Sequence, residues 1–221
     1  MLETYPSAAA MAQAAAHGVE AALAQGLRTR GRASLVATGG RSPGAVYDAL
    51  HGAKVDWARV IVTLSDERCV APDAPEANAR LVTQRLFAGE PAKAHFIPLW
   101  PEPEAAALSA LLPFDAVLLG MGEDGHVASL IPGDPDLAAG LDPEGQALTR
   151  AVPAGLGSPP LARITLTLAA LLQARAIFLL IAGEAKREVI ARARAGADLP
   201  VRALLVQDQV PVRVLWAPEH S

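Results

Sequence analysis

The segment Ile177-Phe178-Leu179-Leu180-Ile181 is apolar at every position. A strand with one face in water alternates apolar and polar side chains, so an unbroken apolar run belongs in a sheet covered on both faces. Shorter apolar runs recur, and strands are read at Ala33–Ala37, Val60–Leu64, His95–Leu99, Phe114–Leu119, Leu148–Val152, Arg163–Leu168, Ala176–Ile181 and Val212–Trp216. Helical stretches lie between them. An alanine-rich helix spans Ser7–Leu27 and ends near Gly26 and Gly31, and Pro43–His51 carries proline in its first turn. Glu76–Phe87, Glu102–Leu112, Ala170–Ala174 and Glu184–Ala195 follow. This alternation predicts right-handed βαβ units. The expected fold class is α/β: a Rossmann-like, doubly wound and mostly parallel sheet with helices on both faces, formed by residues 1–221 as one domain. The Gly- and Pro-rich segment Pro132–Pro160 is expected to be a long excursion or lid-like loop.

Composition narrows the function. Net charge is −4, with no long basic run and no interleaving of basic and aromatic residues, so a nucleic-acid partner is not expected. No apolar run approaches the ~20 residues needed to cross a bilayer, and the start of the chain lacks a signal-peptide pattern. The single cysteine, Cys69, excludes an internal disulfide and a cysteine-rich metal site, and reads as a small packed residue. The cytoplasm is the expected compartment.

The chemistry is concentrated where strands end. After Phe114–Leu119 the chain breaks into Gly120-Met121-Gly122-Glu123-Asp124-Gly125-His126. Glycines let backbone approach a ligand, and histidine is suited to proton transfer near neutral pH. The strand Ala33–Ala37 runs through Thr38 into Gly39-Gly40-Arg41-Ser42-Pro43 and a helix, an arrangement that presents N–H groups and a helix dipole to an anion. It matches neither nucleotide-binding glycine pattern, so no nucleotide is implied. The next strand ends in Ser65-Asp66-Glu67-Arg68, where alternation sets Asp66 and Glu67 on opposite sides. One carboxylate is expected in the cleft and the other beside Arg68. Arg163 opens a strand, and Lys186 lies near a helix N-terminus, where a cation is unfavourable without an anion nearby. Such strand ends share one edge in an open α/β sheet, the edge that binds ligands.

In this order, Thr38-Gly39-Gly40-Arg41-Ser42-Pro43, Ser65-Asp66-Glu67-Arg68-Cys69-Val70, Asn78, the stretch Gly120 to Gly133, Arg163-Ile164-Thr165-Leu166-Thr167 and Gly183-Glu184-Ala185-Lys186 resemble the superfamily of 6-phosphogluconolactonases and glucosamine-6-phosphate deaminases. The resemblance covers nearly the whole chain. In the deaminase form Gly-His continues to Phe-Asn-Glu; here Ala128-Ser129-Leu130-Ile131 resembles the lactonase form. Ala74 and Ala77 stand where relatives often carry His and Ser, and Cys69 where Trp is common, so the rim departs from the family pattern. The resemblance implies hydrolysis of 6-phospho-D-glucono-1,5-lactone, with no metal and no organic cofactor, by a monomer or weak homo-oligomer. The alternatives are the deaminase reaction and a sugar-phosphate sensor without turnover. His126 is the expected general base, and Asp66 is expected to orient His126 or a sugar hydroxyl. Arg163 and Lys186 resemble the phosphate-binding cations, helped by Ser42 and nearby amides. Gly39, Gly40, Arg41, Arg68 and Gly125 are the remaining expected substrate contacts. The oxyanion is expected on amides of the Gly39-Gly40 turn or of the Gly122–Gly125 loop.

Overall fold

The structure is a computed structural model and describes residues 2–102 and 104–219. Seven strands form a parallel sheet: β1 (Leu2–Thr4), β2 (Ala33–Ala37), β3 (Val60–Leu64), β5 (His95–Phe96), β6 (Ala116–Gly120), β9 (Ile177–Ala182) and β10 (Val212–Ala217). Their spatial order is β1-β10-β9-β6-β2-β3-β5. Every residue of β2 is buried, as are the first five of β9, so both faces of the sheet are covered. The chain winds outward from β2 to β3 and β5, then returns to β6 on the other side of β2. The loops leaving the C-terminal ends of β2 and β6 therefore diverge and open a crevice between them.

Helix α1 (Ala8–Arg30) is capped by Ser7, whose hydroxyl accepts the Ala10 N–H at 3.1 Å, and ends on Gly31 at φ 73°. Its buried stripe, including Ala15, Val19 and Leu23, lies on the sheet and on α2 (Ser42–Leu50). Helix α3 (Asn78–Arg85) begins two residues later than the sequence suggests, because Ala77 is extended. Its first turn is capped from afar: the Glu67 carboxylate accepts the N–H groups of Asn78 and Ala79, each at 2.7 Å. The remaining helices are α4 (Ala105–Ser109), α5 (Leu137–Gly140), α6 (Leu168–Leu172), α7 (Glu184–Arg194) and α8 (Pro200–Val206).

The mostly parallel sheet is accompanied by a smaller, antiparallel one. The strands β7 (Thr149–Val152) and β8 (Arg163–Leu166) do not join the parallel sheet; with β4 (Asp66–Arg68) they form a separate antiparallel sheet in the order β4-β8-β7. The 132–160 excursion carries the short helix α5 besides β7, which matches the strand read at Leu148–Val152. It is anchored by Asp134, whose side chain is wholly buried and paired with Arg150, Nη2 lying 3.1 Å from Oδ1. The Arg150 hydrogen bond holds the Asp134 carboxyl below the usual aspartate range, against the opposing effect of burial.

Removing one partner of a buried pair leaves the other charge uncompensated, so Arg150→Ala should cost about 3–5 kcal/mol in chemical denaturation at neutral pH. A carboxyl whose folded pKa is depressed contributes stability above its unfolded pKa and loses it as pH falls. The gap between wild type and variant should therefore narrow below about pH 4. A cost under about 1 kcal/mol, the range of exposed ion pairs, would show that water solvates this pair.

Candidate active site

A cleft of about 620 Å³, open to solvent, lies over the crevice between β2 and β6. Of the residues expected to bind or react, Gly39, Gly40, Arg41, Ser42, Asp66, Arg68, His126, Arg163 and Lys186 all line it. Gly125 does not; its φ of 80° turns the chain, its carbonyl accepts the Val201 N–H at 2.9 Å, and Leu199 packs against it. Gly125 belongs to the turn that carries His126.

That turn is tight. The Gly122 N–H donates to the His126 carbonyl at 3.0 Å, and the Gly125 N–H to the Gly122 carbonyl at 3.1 Å. The His126 ring and the Asp124 carboxylate consequently lie directly over Gly122, where a Cβ would collide with both. His126 Nδ1 lies 2.6 Å from Asp124 Oδ1, which also accepts the His126 N–H at 3.2 Å. A carboxylate can only accept, so a ring proton of His126 sits on Nδ1. Burial pushes the Asp124 carboxyl up, but the hydrogen bond and charge of His126 outweigh it, and the group lies below its ordinary range.

The carboxylate that orients His126 is therefore Asp124 and not Asp66. Asp66 is buried and accepts hydrogen bonds from Ser129 Oγ at 2.6 Å and Ser65 Oγ at 2.9 Å, and its carbonyl accepts the Asn78 side-chain amide at 2.8 Å. Ser129 reaches it because Ala128, on the cleft wall, takes a left-handed φ of 51°. Glu67 points away, as alternation predicts, and accepts the Arg68 backbone N–H at 2.7 Å. The Arg68 guanidinium donates to the Glu76 carbonyl instead of to Glu67.

Several cations crowd the cleft. Arg68 and Arg163 are directly opposed across β4 and β8. Like charges in that position repel, and both side chains keep a buried Nε–H without an acceptor among the described residues. Arg163 is held by the Pro159 carbonyl at 2.8 Å and lies 4.0 Å from Asp66. Burial and then the charge of Arg68 pull its pKa down. Burial and the charge of Arg41 do the same to Lys186, opposed by Glu123 and Glu219. On the β2 side, Tyr47 closes the strand end, its hydroxyl accepting the Thr38 N–H at 2.9 Å and donating to the Thr38 carbonyl at 2.6 Å. The next turn, Gly39-Gly40, donates to no protein acceptor among the described residues, whereas Gly122 and Gly125 are engaged within their own loop.

Sequence reasoning missed Thr38, Met121, Ala128 and Ser158 as cleft residues and Asp124 as the partner of His126. Asp124 was accessible from the Asp-Gly-His spacing, a turn signature. Ser158 carried no signal, because its place depends on how the 132–160 excursion packs.

Residues 6–216 match the family model described as glucosamine-6-phosphate isomerases/6-phosphogluconolactonase. The chain belongs to this family. It is 40% identical over 225 residues to a 6-phosphogluconolactonase of Caulobacter vibrioides, covering 98% of this chain and 97% of the relative. A 6-phosphogluconolactonase of Rhizobium meliloti is 38% identical over 231 residues, with 98% of each chain covered. Among solved structures, a 6-phosphogluconolactonase from Shewanella baltica superposes with a TM-score of 0.89 at 34% identity, covering 98% of this chain and 97% of that one. A monomeric glucosamine-6-phosphate deaminase, at 20% identity and TM-score 0.74, shares the fold.

Because Tyr47 satisfies both peptide groups of Thr38, Tyr47→Phe should leave a buried N–H and C=O unpaired and cost about 1–3 kcal/mol. Equilibrium denaturation measures it. A change below about 0.3 kcal/mol would mean that water takes over both bonds.

Proposed function

We infer that this protein hydrolyses 6-phospho-D-glucono-1,5-lactone to 6-phospho-D-gluconate. The observation that carries the reading is the Asp124–His126 pair, an imidazole held through Nδ1 by a carboxylate on the wall of a cation-lined cleft. Its lactonase relatives at 34–40% identity over nearly the full chain support the same reaction. The stretch Ala128-Ser129-Leu130-Ile131 favours it over deamination. Leu130 and Ile131 are buried and apolar, and Ser129 is bound to Asp66, so that stretch offers the sugar ring no carboxylate.

In this reading His126 Nε2 takes a proton from water as the water oxygen bonds to C1 of the lactone. The tetrahedral oxyanion faces the free amides of Gly39 and Gly40. The C1–ring oxygen bond then breaks, the departing oxygen takes the proton back from His126, and the new carboxyl group ionises. Asp124 stabilises the imidazolium that forms in between. Arg163 and Lys186 hold the phosphate, with Ser42 and the N-terminal amides of α2. Asp66, fixed by Ser65 and Ser129, receives a sugar hydroxyl, and Arg68 contributes its charge to the same side of the cleft. The reaction needs neither metal nor organic cofactor, and activity is expected to survive exhaustive chelation.

No described helix is long and apolar enough to cross a membrane. Val206 is the single large apolar residue exposed among the described ones, which supports a monomer or weak homo-oligomer. A cytoplasmic location completes the proposal.

The lactone opens spontaneously, so the test is an enzyme-dependent rate above buffer. The purified protein should accelerate opening and release no ammonia from glucosamine 6-phosphate. Ammonia release with a kcat on the order of 1–10³ s⁻¹, without lactone hydrolysis above buffer, would assign the deaminase reaction instead.

The phosphate assignment has its own check. Arg163→Ala or Lys186→Ala should each cost about 1.5–3 kcal/mol in kcat/KM, the size of a charge-assisted hydrogen bond. The loss should shrink sharply on unphosphorylated gluconolactone. Equal losses on both substrates would place these side chains away from the phosphate.

A further inference from the structure

We infer that Glu219 limits anion affinity at the phosphate subsite: its carboxylate lies 3.8 Å from Arg41 at the edge of the cleft and competes with the incoming ligand for that cation. The inference rests on the assignment of phosphate to Lys186 and the β2–α2 turn made above.

Two hydrogen bonds fix where Glu219 lies. The Gly183 N–H donates to the Ala217 carbonyl at 3.0 Å, and the Trp216 indole N–H donates to the Gly183 carbonyl at 2.9 Å. They clamp the end of β10 to the start of α7, so the chain leaves β10 beside Gly183. The Glu219 side chain then lies over that glycine. A Cβ on Gly183 would come within 3.0 Å of Glu219 Oε2 and 3.5 Å of Glu219 Cβ, and the glycine φ of 83° disfavours any side chain there. The other carboxylate oxygen, Oε1, lies 3.8 Å from Arg41 Nη2. The negative charge of Glu219 also acts on Lys186, as does that of Glu123. Arg41 and Lys186 both line the cleft.

A carboxylate of the chain itself therefore sits beside a guanidinium and the N-terminus of an 11-residue helix, two features that favour an anion, and its charge acts on the Lys186 ammonium. A phosphate monoester carries about −1.5 to −2 charge and three acceptor oxygens, so it competes well against one carboxylate. A neutral sugar offers those cations nothing in exchange. Glu219 thus raises the threshold for every ligand and leaves dianions best able to cross it. The contact is modest in strength, since the Arg41 and Glu219 side chains are 90% and 57% exposed.

Calorimetric titration with inorganic phosphate at low ionic strength tests this without any lactone. Glu219→Gln should bind phosphate about two- to five-fold more tightly than wild type, the range of an exposed ion pair. The difference should fade with added salt, and KM for the phosphorylated lactone should drop by a similar factor. Equal or weaker phosphate binding by the variant, or no binding by either protein, would overturn the inference. Tighter binding by the variant in a protein that fails to hydrolyse the lactone would leave this inference standing and remove the lactonase reading.

Discussion

The site depends on one topological constraint, the reversal of strand order between β2 and β6. From β2 the chain winds outward to β3 and β5, and it then resumes at β6 on the opposite flank. Loops that leave neighbouring parallel strands in the same direction would ordinarily pack together. Here they part, and the cleft is what lies between them. The Gly39–Ser42 turn comes from one side of this divide and the Gly122–His126 turn from the other. The buried β2 and β9 strands supply the rigidity that such a site needs, because their packing on both faces leaves the loop ends little freedom.

The small antiparallel sheet adds the second wall. β4 leaves the end of β3 after a single residue and pairs with β8, so Asp66 and Arg68 stand next to Thr165 and Arg163. Two arginines opposed across a strand pair are unfavourable in an empty site. The buried Asp66 relieves part of that repulsion, and a bound anion would relieve more. The local cost is thus concentrated where a phosphorylated substrate is proposed to bind, a common compromise between stability and function. The charge of Asp124, from the β6 side of the cleft, also acts on Arg163.

Much of this was legible in the sequence, for identifiable reasons. Ala33–Ala37 and Val60–Leu64 coincide with β2 and β3, because short runs dominated by apolar residues and bounded by turn and polar residues are too short for a helix and fit a buried strand. The strand ends that carry the site were legible for the same reason. β4 was not, because Asp-Glu-Arg has no strand signature and becomes one only by pairing with a segment about a hundred residues later. The partner of Asp66 is Ser129, 63 residues away, and its approach depends on the left-handed Ala128. No local pattern encodes that contact. The start of α3 was misplaced on similar grounds, since its cap comes from Glu67 and not from a residue of its own first turn. Sequence periodicity reports elements that bury their own apolar faces, and it is silent where distant polar groups satisfy one another.

In the proposed reaction His126, oriented by its neighbour two residues back, removes the proton from water. The most direct test is the rate of 6-phosphogluconolactone opening, corrected for the spontaneous reaction, in wild type, His126→Asn and Asp124→Asn. The account predicts that His126→Asn lowers kcat by roughly 10²–10⁴-fold with the melting temperature retained, the usual contribution of a general base. Asp124→Asn should lower kcat by a smaller factor, because the imidazole remains but its Nδ1 proton loses a charged acceptor. A His126→Asn protein that folds normally and turns over within a few-fold of wild type would contradict the account.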